Sequence, residues 1–230
     1  MKTLQSAQNW SIREKLPLPD EFADQIDMPE IGLQALLTRG CDSVGKVKRF
    51  LDHNCYTPAS PFDLPGMEKG VNRIRKAIRA NELIGVWGDF DVDGQTSTAI
   101  LVDTLTHLGA QVTYHIPVRA QESHGIKIEP LKQFLSKGVQ VLLTCDTGIS
   151  EIDSIAYAQS KGIDSVVTDH HILPQTLPAA HALINPQFLP TIHPLATLAG
   201  AGVAYQFACA LLERSGQSDY THNLHDLAAL

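Results

Sequence analysis

The segment Gly88-Asp89-Phe90-Asp91-Val92-Asp93-Gly94 sets three carboxylates at two-residue spacing, directly after the apolar run Leu83-Ile84-Gly85-Val86-Trp87. In an extended strand end this spacing points all three side chains the same way. Hard oxygen ligands grouped like this suit Mg²⁺ or Mn²⁺. Gly94 permits a tight turn, and Gln95-Thr96-Ser97 opens a helix whose free N–H groups favour an anion, which makes Ser97 a candidate phosphate contact. The same residues also read as an acidic loop capping that helix. An EF-hand calcium loop is excluded: counted from Asp89, the twelfth position is Ile100, where a bidentate glutamate is required.

Two further clusters follow apolar, β-branched runs. Asp146 comes after Val139–Leu143 and before Thr147-Gly148; taken alone it reads equally as a helix cap. Asp169-His170-His171 follows Val166-Val167-Thr168. A neutral imidazole is a good metal ligand, and a second one can contact phosphate or supply a proton. Adjacent residues rarely both face one metal, so His170 and His171 are assigned different jobs; a surface pair in a turn is the other reading. Gly200 and Gly202, in Leu198–Ala204, lie at the start of a helix running to about Arg214. They let a phosphate or sugar approach the backbone closely, or else serve close helix packing. Arg119, after Ile116-Pro117-Val118, either pairs a phosphate or is simply solvated. The other histidines, His115 and His124 among them, show no comparable grouping.

The elements that must position these residues alternate from Leu83 onward. Strands are expected at 83–88, 111–116, 139–145, 164–168 and 182–184, and helices at 95–108, 128–137 and 151–161. This order implies an α/β fold with a mostly parallel sheet of about five strands flanked by helices. In such sheets sites form outside the carboxyl ends of the strands, where all three clusters fall. Residues 1–80 read as a helical, loop-rich prelude packed on the core, and 81–230 as the α/β domain. Within the prelude, helices are expected at Glu30–Leu37, Lys46–Leu51 and Met67–Arg79, with a Pro-rich loop at 57–66. Asp219–Leu230 reads as a helix that stops without a cap, like the boundary of a fragment.

Composition narrows the class. The chain has 230 residues, 43% hydrophobic, with no apolar run long enough to span a membrane and no signal-peptide core at Met1–Gln5. Cys41, Cys55, Cys145 and Cys209 are scattered and read as buried free thiols suited to a reducing cytoplasm. The formal net charge of −7 by itself opposes nonspecific nucleic-acid binding. Much of that charge, however, is Asp89, Asp91, Asp93, Asp146 and Asp169. Two divalent cations would add four positive charges there and offset most of it.

Taken together and in this order, Gly88–Gly94, Cys145–Ser150, Asp169-His170-His171 and Leu198–Ala204 resemble the motif set of the DHH phosphoesterase superfamily. Within it the chain looks like the RecJ-type single-stranded-DNA exonucleases. Ile116–Arg119, Asn185-Pro186, Trp10, Leu36–Gly40 and Arg49-Phe50-Leu51 carry that part of the likeness, which covers nearly the whole chain. The resemblance implies two divalent ions, Mn²⁺ or Mg²⁺. Asp91 and Asp93 would hold one each, Asp146 would bridge both, His170 would bind the second, and Asp89 would support the first. His171 would contact the scissile phosphate, with Asp169 orienting a neighbouring histidine. The implied reaction is in-line attack of metal-activated water on a phosphodiester. It would remove nucleotides from the 5′ end of single-stranded DNA in recombination and repair. A single-stranded-DNA-binding protein and a helicase are the implied partners.

In relatives of this type, the helix resembling Asp226–Leu230 leads into a Gly-Thr-x-Ala-Asp motif whose Asp completes the second metal site. This chain stops before that motif and before the DHHA1 and OB-fold domains that grip DNA. The expectation is the catalytic N-terminal part of a longer enzyme, binding metal incompletely and hydrolysing poorly by itself. Two other readings remain. A hydrolase of short oligonucleotides or cyclic dinucleotides would generally lack the prelude. A non-catalytic replication or repair scaffold would have lost ligands, whereas Asp91, Asp93, Asp146 and His170 are all present.

Overall fold

The computed structural model describes residues 14–55, 57–122 and 125–228; Trp10 and His124 fall outside them. The chain divides into two units between Pro58 and Ala59. In the first, α1 (Asp20–Gln25), α2 (Glu30–Leu37) and α3 (Val44–Leu51) share a small core of Phe22, Leu33, Leu36, Cys41 and Val47. Helices this short are unstable alone, so burial of these side chains holds them.

The second unit begins earlier than the expected prelude boundary. α4 (Met67–Ala80) places Met67, Val71, Ile74 and Ala77 in the core of the sheet, so it belongs to the α/β unit. Its helical stripe of apolar residues is complementary to a sheet face, and burying Met67, Val71 and Ile74 contributes about 1.5–3 kcal/mol each. Arg73 on the same helix is also buried, bound through Nε to Asp164 at 2.5 Å and through Nη1 to Glu82 at 2.7 Å.

The remaining order is β1 (Leu83–Trp87), α5 (Val92–His107), β2 (Gln111–His115), α6 (Arg119–Glu122), α7 (Ile128–Leu135), β3 (Val141–Cys145), α8 (Ile152–Ser160), β4 (Asp164–Thr168), β5 (Ala182–Ile184), α9 (Gly200–Arg214) and α10 (His225–Ala228). The five strands form one parallel sheet, ordered β2-β1-β3-β4-β5. Alternation along the strands sorts the two faces. Ile84, Val86, Leu143 and Val166 join Leu101 of α5 and Phe207 of α9 on one side. Trp87, Leu142 and Val167 join Phe134 of α7 and Ile155 of α8 on the other. From β1 the chain first moves outward to β2 and later returns to lay β3 on β1's opposite edge. The crevice at this switch point lies at the carboxyl ends of β1 and β3.

Three expectations need correction here. α5 starts at Val92 rather than 95, because the Asp91 side chain accepts from the Gly94 N–H at 3.0 Å and caps the helix there. The expected helix from Asp219 is a 3-10 segment over Ser218–Leu224 followed by the short α10. All four cysteines are free, but only Cys41 and Cys145 are buried; Cys55 is exposed, with its Sγ 3.5 Å from Asp52. Among the described residues no helix is long and apolar enough to cross a membrane.

Candidate metal centre

Each of three strands ends in a turn that presents an acidic group. After β1, Asp89 is nearly buried, and its Oδ1 accepts from the Phe90 N–H at 2.7 Å. Because α5 begins at Val92, the three carboxylates of this motif do not alternate along an extended segment. Asp91 is the helix cap, and Asp93 lies in the first helical turn. A helical turn therefore brings Asp93 to the site.

After β3, Asp146 adopts φ +59°, a left-handed conformation that Asp tolerates better than most residues. Its N–H is held by Thr168 O at 3.0 Å, and its side chain is 2% exposed. Burial, with Asp93 and Asp91 nearby, pushes its carboxyl up to about 6. After β4, Asp169 is buried and accepts from the N–H groups of His170, His171 and Ile149 at 2.7, 3.1 and 2.9 Å. Burial opposes its ionisation. The imidazole of His171, 2.7 Å away through Nδ1, and these amides outweigh burial and hold the carboxyl below its ordinary range. In turn, Asp169 raises His171 to about 9.

The three turns converge. His170 Nε2 is 3.0 Å from Asp146 Oδ1 and 3.5 Å from Asp93 Oδ2. The Asp146 carboxylate beside it raises His170 above the ordinary imidazole range despite partial burial. Ligand atoms of Asp146, His170 and His171 all lie within 4.8 Å of one another. Both imidazoles stand beside Asp146. The bend that Asp169 imposes through two consecutive N–H groups is the reason. Asp89, Asp146, Asp169 and His171 line one cavity of about 280 Å³.

The other candidates lie near the starts of α5, α6 and α9. Ser97 is fully buried inside α5, and its hydroxyl donates to Asp93 O at 2.7 Å, so it is not exposed to a phosphate. The free N–H groups at the start of α9 are also taken. Gly200 and Ala201 donate to the two oxygens of Asp93 at 2.8 and 2.6 Å. An amide pair at a helix N-terminus stabilises a carboxylate just as it would a phosphate. Gly200 must lack a side chain, because a Cβ there would lie 2.5 Å from Asp146 Oδ1. Gly202 packs against Leu198, where a Cβ would come within 2.9 Å. Arg119 is exposed, with its guanidinium 5.1 Å above the Phe90 ring.

Two contributors had not been singled out as site residues from sequence. Glu151 reaches back into the Asp146 loop, accepting from Gly148 and Ser150 N–H at 3.1 Å each, and it lines the same cavity. Asn185 is buried and donates to His171 O at 3.0 Å, fixing the histidine turn from β5. The fixed spacing of Gly148 and Glu151 is a local loop-capping signal; nothing local points from Asn185 to His171.

The arrangement fits a divalent cation. Asp146 Oδ1 is a buried oxygen that receives no hydrogen bond, because His170 approaches it outside hydrogen-bonding geometry. A buried carboxylate oxygen of this kind, beside further carboxylates and an imidazole, is costly unless a cation joins it. Carboxylate oxygens with one or two imidazoles match a hard or borderline divalent ion.

A model of the "DHH family, N-terminal domain" matches residues 83–230. The single-stranded-DNA-specific exonuclease RecJ of Bacillus subtilis is 32% identical over 232 residues, covering 99% of this chain and 28% of the relative. The RecJ of Haemophilus influenzae is 40% identical over 162 residues, covering 70% of this chain and 28% of the relative. Among solved structures, RecJ from Thermus thermophilus in complex with Mn²⁺ superposes with a TM-score of 0.75 at 30% identity, covering 93% of this chain and 30% of that one. The chain thus spans 28% of the length of the two curated relatives. With the family model matching from β1 to the last residue and the acidic and histidine turns gathered at three strand ends, the chain belongs to the DHH family.

Proposed function

We propose that this chain carries the catalytic centre of a metal-dependent phosphodiesterase that removes nucleotides from the 5′ end of single-stranded DNA. The observation that carries the reading is the buried, hydrogen-bond-free Oδ1 of Asp146, faced by His170 and flanked by Asp93. The relatives named as single-stranded-DNA-specific exonucleases support the substrate class, and the Mn²⁺-bound relative supports the ion.

Two ions, Mn²⁺ or Mg²⁺, suit the donor set. Asp146 would serve both ions, Asp91 and Asp93 would hold one each, His170 would bind the second, and Asp89 would support the first. When bound, the ions supply Lewis-acid charge to both the attacking and leaving oxygens of the phosphodiester. The chain's own groups do the rest. Amides of Gly200 and Ala201 fix both oxygens of Asp93, so its orientation is set before any ligand arrives. Asp169 fixes the Nδ1 side of His171 and favours the protonated ring, whose other nitrogen can donate to a phosphate oxygen. Arg119 offers a second cationic contact to the strand. A single-stranded-DNA-binding protein and a helicase are the partners that would present such a strand, and a reducing cytoplasm suits the four free cysteines.

The test is hydrolysis by the full chain, with Mn²⁺, of a long 5′-phosphorylated single strand set against dinucleotides. Release of nucleotides from the 5′ end is the expected result. Cleavage of dinucleotides alone would replace this reading with a small-substrate hydrolase. Absence of both Mn²⁺ binding and hydrolysis would favour a scaffold.

A further inference from the structure

Arg119 opens α6, a helix of only four residues, too short to hold its own shape. Glu122, at the other end of that turn, supplies what the helix lacks. Its Oε1 accepts from the N–H of Val118, the residue before the helix, at 3.3 Å. Its Oε2 lies 2.7 Å from His115 Nε2, at the end of β2. The His115 ring is itself anchored, 4.2 Å from the buried Trp87 ring and 5.9 Å from that of Phe134. A line of contacts therefore runs from the apolar core through His115 and Glu122 to the start of α6. The contact is mostly shielded from solvent, at 25% and 17% exposure.

At the outer end of this line, the Arg119 guanidinium lies over the ring of Phe90, the residue between Asp89 and Asp91, 5.1 Å from its centroid. A guanidinium held over a ring face can still offer its fork of N–H donors to two phosphate oxygens. A rotamer-rich arginine held in place before a ligand arrives forfeits less order on binding.

We propose that Glu122 and His115 are positioning residues that lock the α6 turn so that Arg119, held over the Phe90 ring, receives a phosphate of the strand beside the metal centre. This rests on the phosphodiester reading above. The experiment compares Arg119→Ala, Glu122→Ala, Glu122→Gln and the double alanine variant in the full chain, hydrolysing a 5′-phosphorylated oligonucleotide with Mn²⁺. Loss of a charge-assisted pair predicts a KM about 10-fold or more higher for Arg119→Ala, with kcat within about two-fold. Glu122→Ala raises KM in the same direction, and Glu122→Gln, which still accepts from Val118 N–H, restores most of it. If Glu122 acts through Arg119, the double variant is no worse than Arg119→Ala. KM effects that multiply, or a loss confined to kcat, overturn the proposal.

A second measurement needs no substrate: ¹⁵N relaxation of the Arg119 Nε–H group. It should be ordered in the unaltered chain and in Glu122→Gln, and mobile in Glu122→Ala; equal mobility in all three overturns the positioning role. A failure of the functional reading is distinguishable, since the unaltered full chain would then cleave no strand while the relaxation contrast persisted.

Discussion

Replacing Asp146 with Asn should stabilise the metal-free protein while removing its response to metal. Asn keeps the shape of Asp and also tolerates the φ of +59° found here, so the backbone has no reason to move. What changes is charge. Burial, with Asp93 and Asp91 close by, lifts the Asp146 carboxyl from 3.8 to about 6. For an acid whose folded pKa is raised, the penalty is absent below the unfolded value, grows between the two values, and is complete above the folded one. At pH 8 a shift of roughly two units corresponds to about 3 kcal/mol of destabilisation carried by the ionised carboxylate. Part of this returns when the carboxylate goes, because His170 loses its partner and a buried amide is left short of one, at about 1–2 kcal/mol. The net expectation is a gain of about 1–2 kcal/mol, or roughly 2–8 °C in melting temperature for a chain of this size. The assay is thermal melting at pH 8 in chelator and in excess Mn²⁺. The unaltered protein should gain about 2.7 kcal/mol at one hundred times Kd, and the variant nothing. A lower melting temperature for Asp146→Asn in chelator, or an undiminished Mn²⁺ shift, would refute the reasoning.

Other outcomes follow from the same geometry. Gly200→Ala puts a methyl 2.5 Å from Asp146 Oδ1; calorimetry should show Mn²⁺ affinity at least about 10-fold weaker, and melts a cost of about 1–3 kcal/mol from overpacking. Asp169→Asn removes the carboxylate that lifts His171 to about 9; NMR titration should then show the ring losing its proton near the ordinary imidazole range, whereas in the unaltered protein it stays protonated through neutral pH. Mn²⁺ must displace the proton from His170, which Asp146 holds above the ordinary range, so affinity should rise with pH, and calorimetry in buffers of different ionisation enthalpy should register proton release. Burial pushes the Cys145 thiol up to about 12; mass spectrometry should find it unalkylated in the native protein at pH 8 and alkylated after unfolding.

The sheet was legible because each strand is an apolar run ending in a polar turn. β4 and β5 fall on the expected residues, and Asp146 and Asp169 stand directly past strand ends as anticipated. Asp93 was misplaced for a local reason. Alternation of Asp with Phe and Val mimics a strand, whereas the Asp91 cap on Gly94 starts a helix at Val92. The duty of the α9 amides was hidden because Gly200 lies 107 residues from Asp93. A helix N-terminus announces an anion in sequence without saying whether that anion is a ligand or the chain's own carboxylate. The buried Arg73 was hidden likewise: its partner Asp164 is 91 residues away. The Glu122–His115 pair spans only seven residues, yet Glu122 carries no sequence signal apart from its place in a turn.

Anomalous diffraction from crystals of the protein soaked in Mn²⁺ tests the central claim most directly. The account predicts manganese peaks in contact with Asp146 and His170, with Asp93 as a further ligand, and loss of those peaks in Asp146→Asn. Manganese bound only at other carboxylates, with Asp146 Oδ1 still lacking any partner, would contradict it.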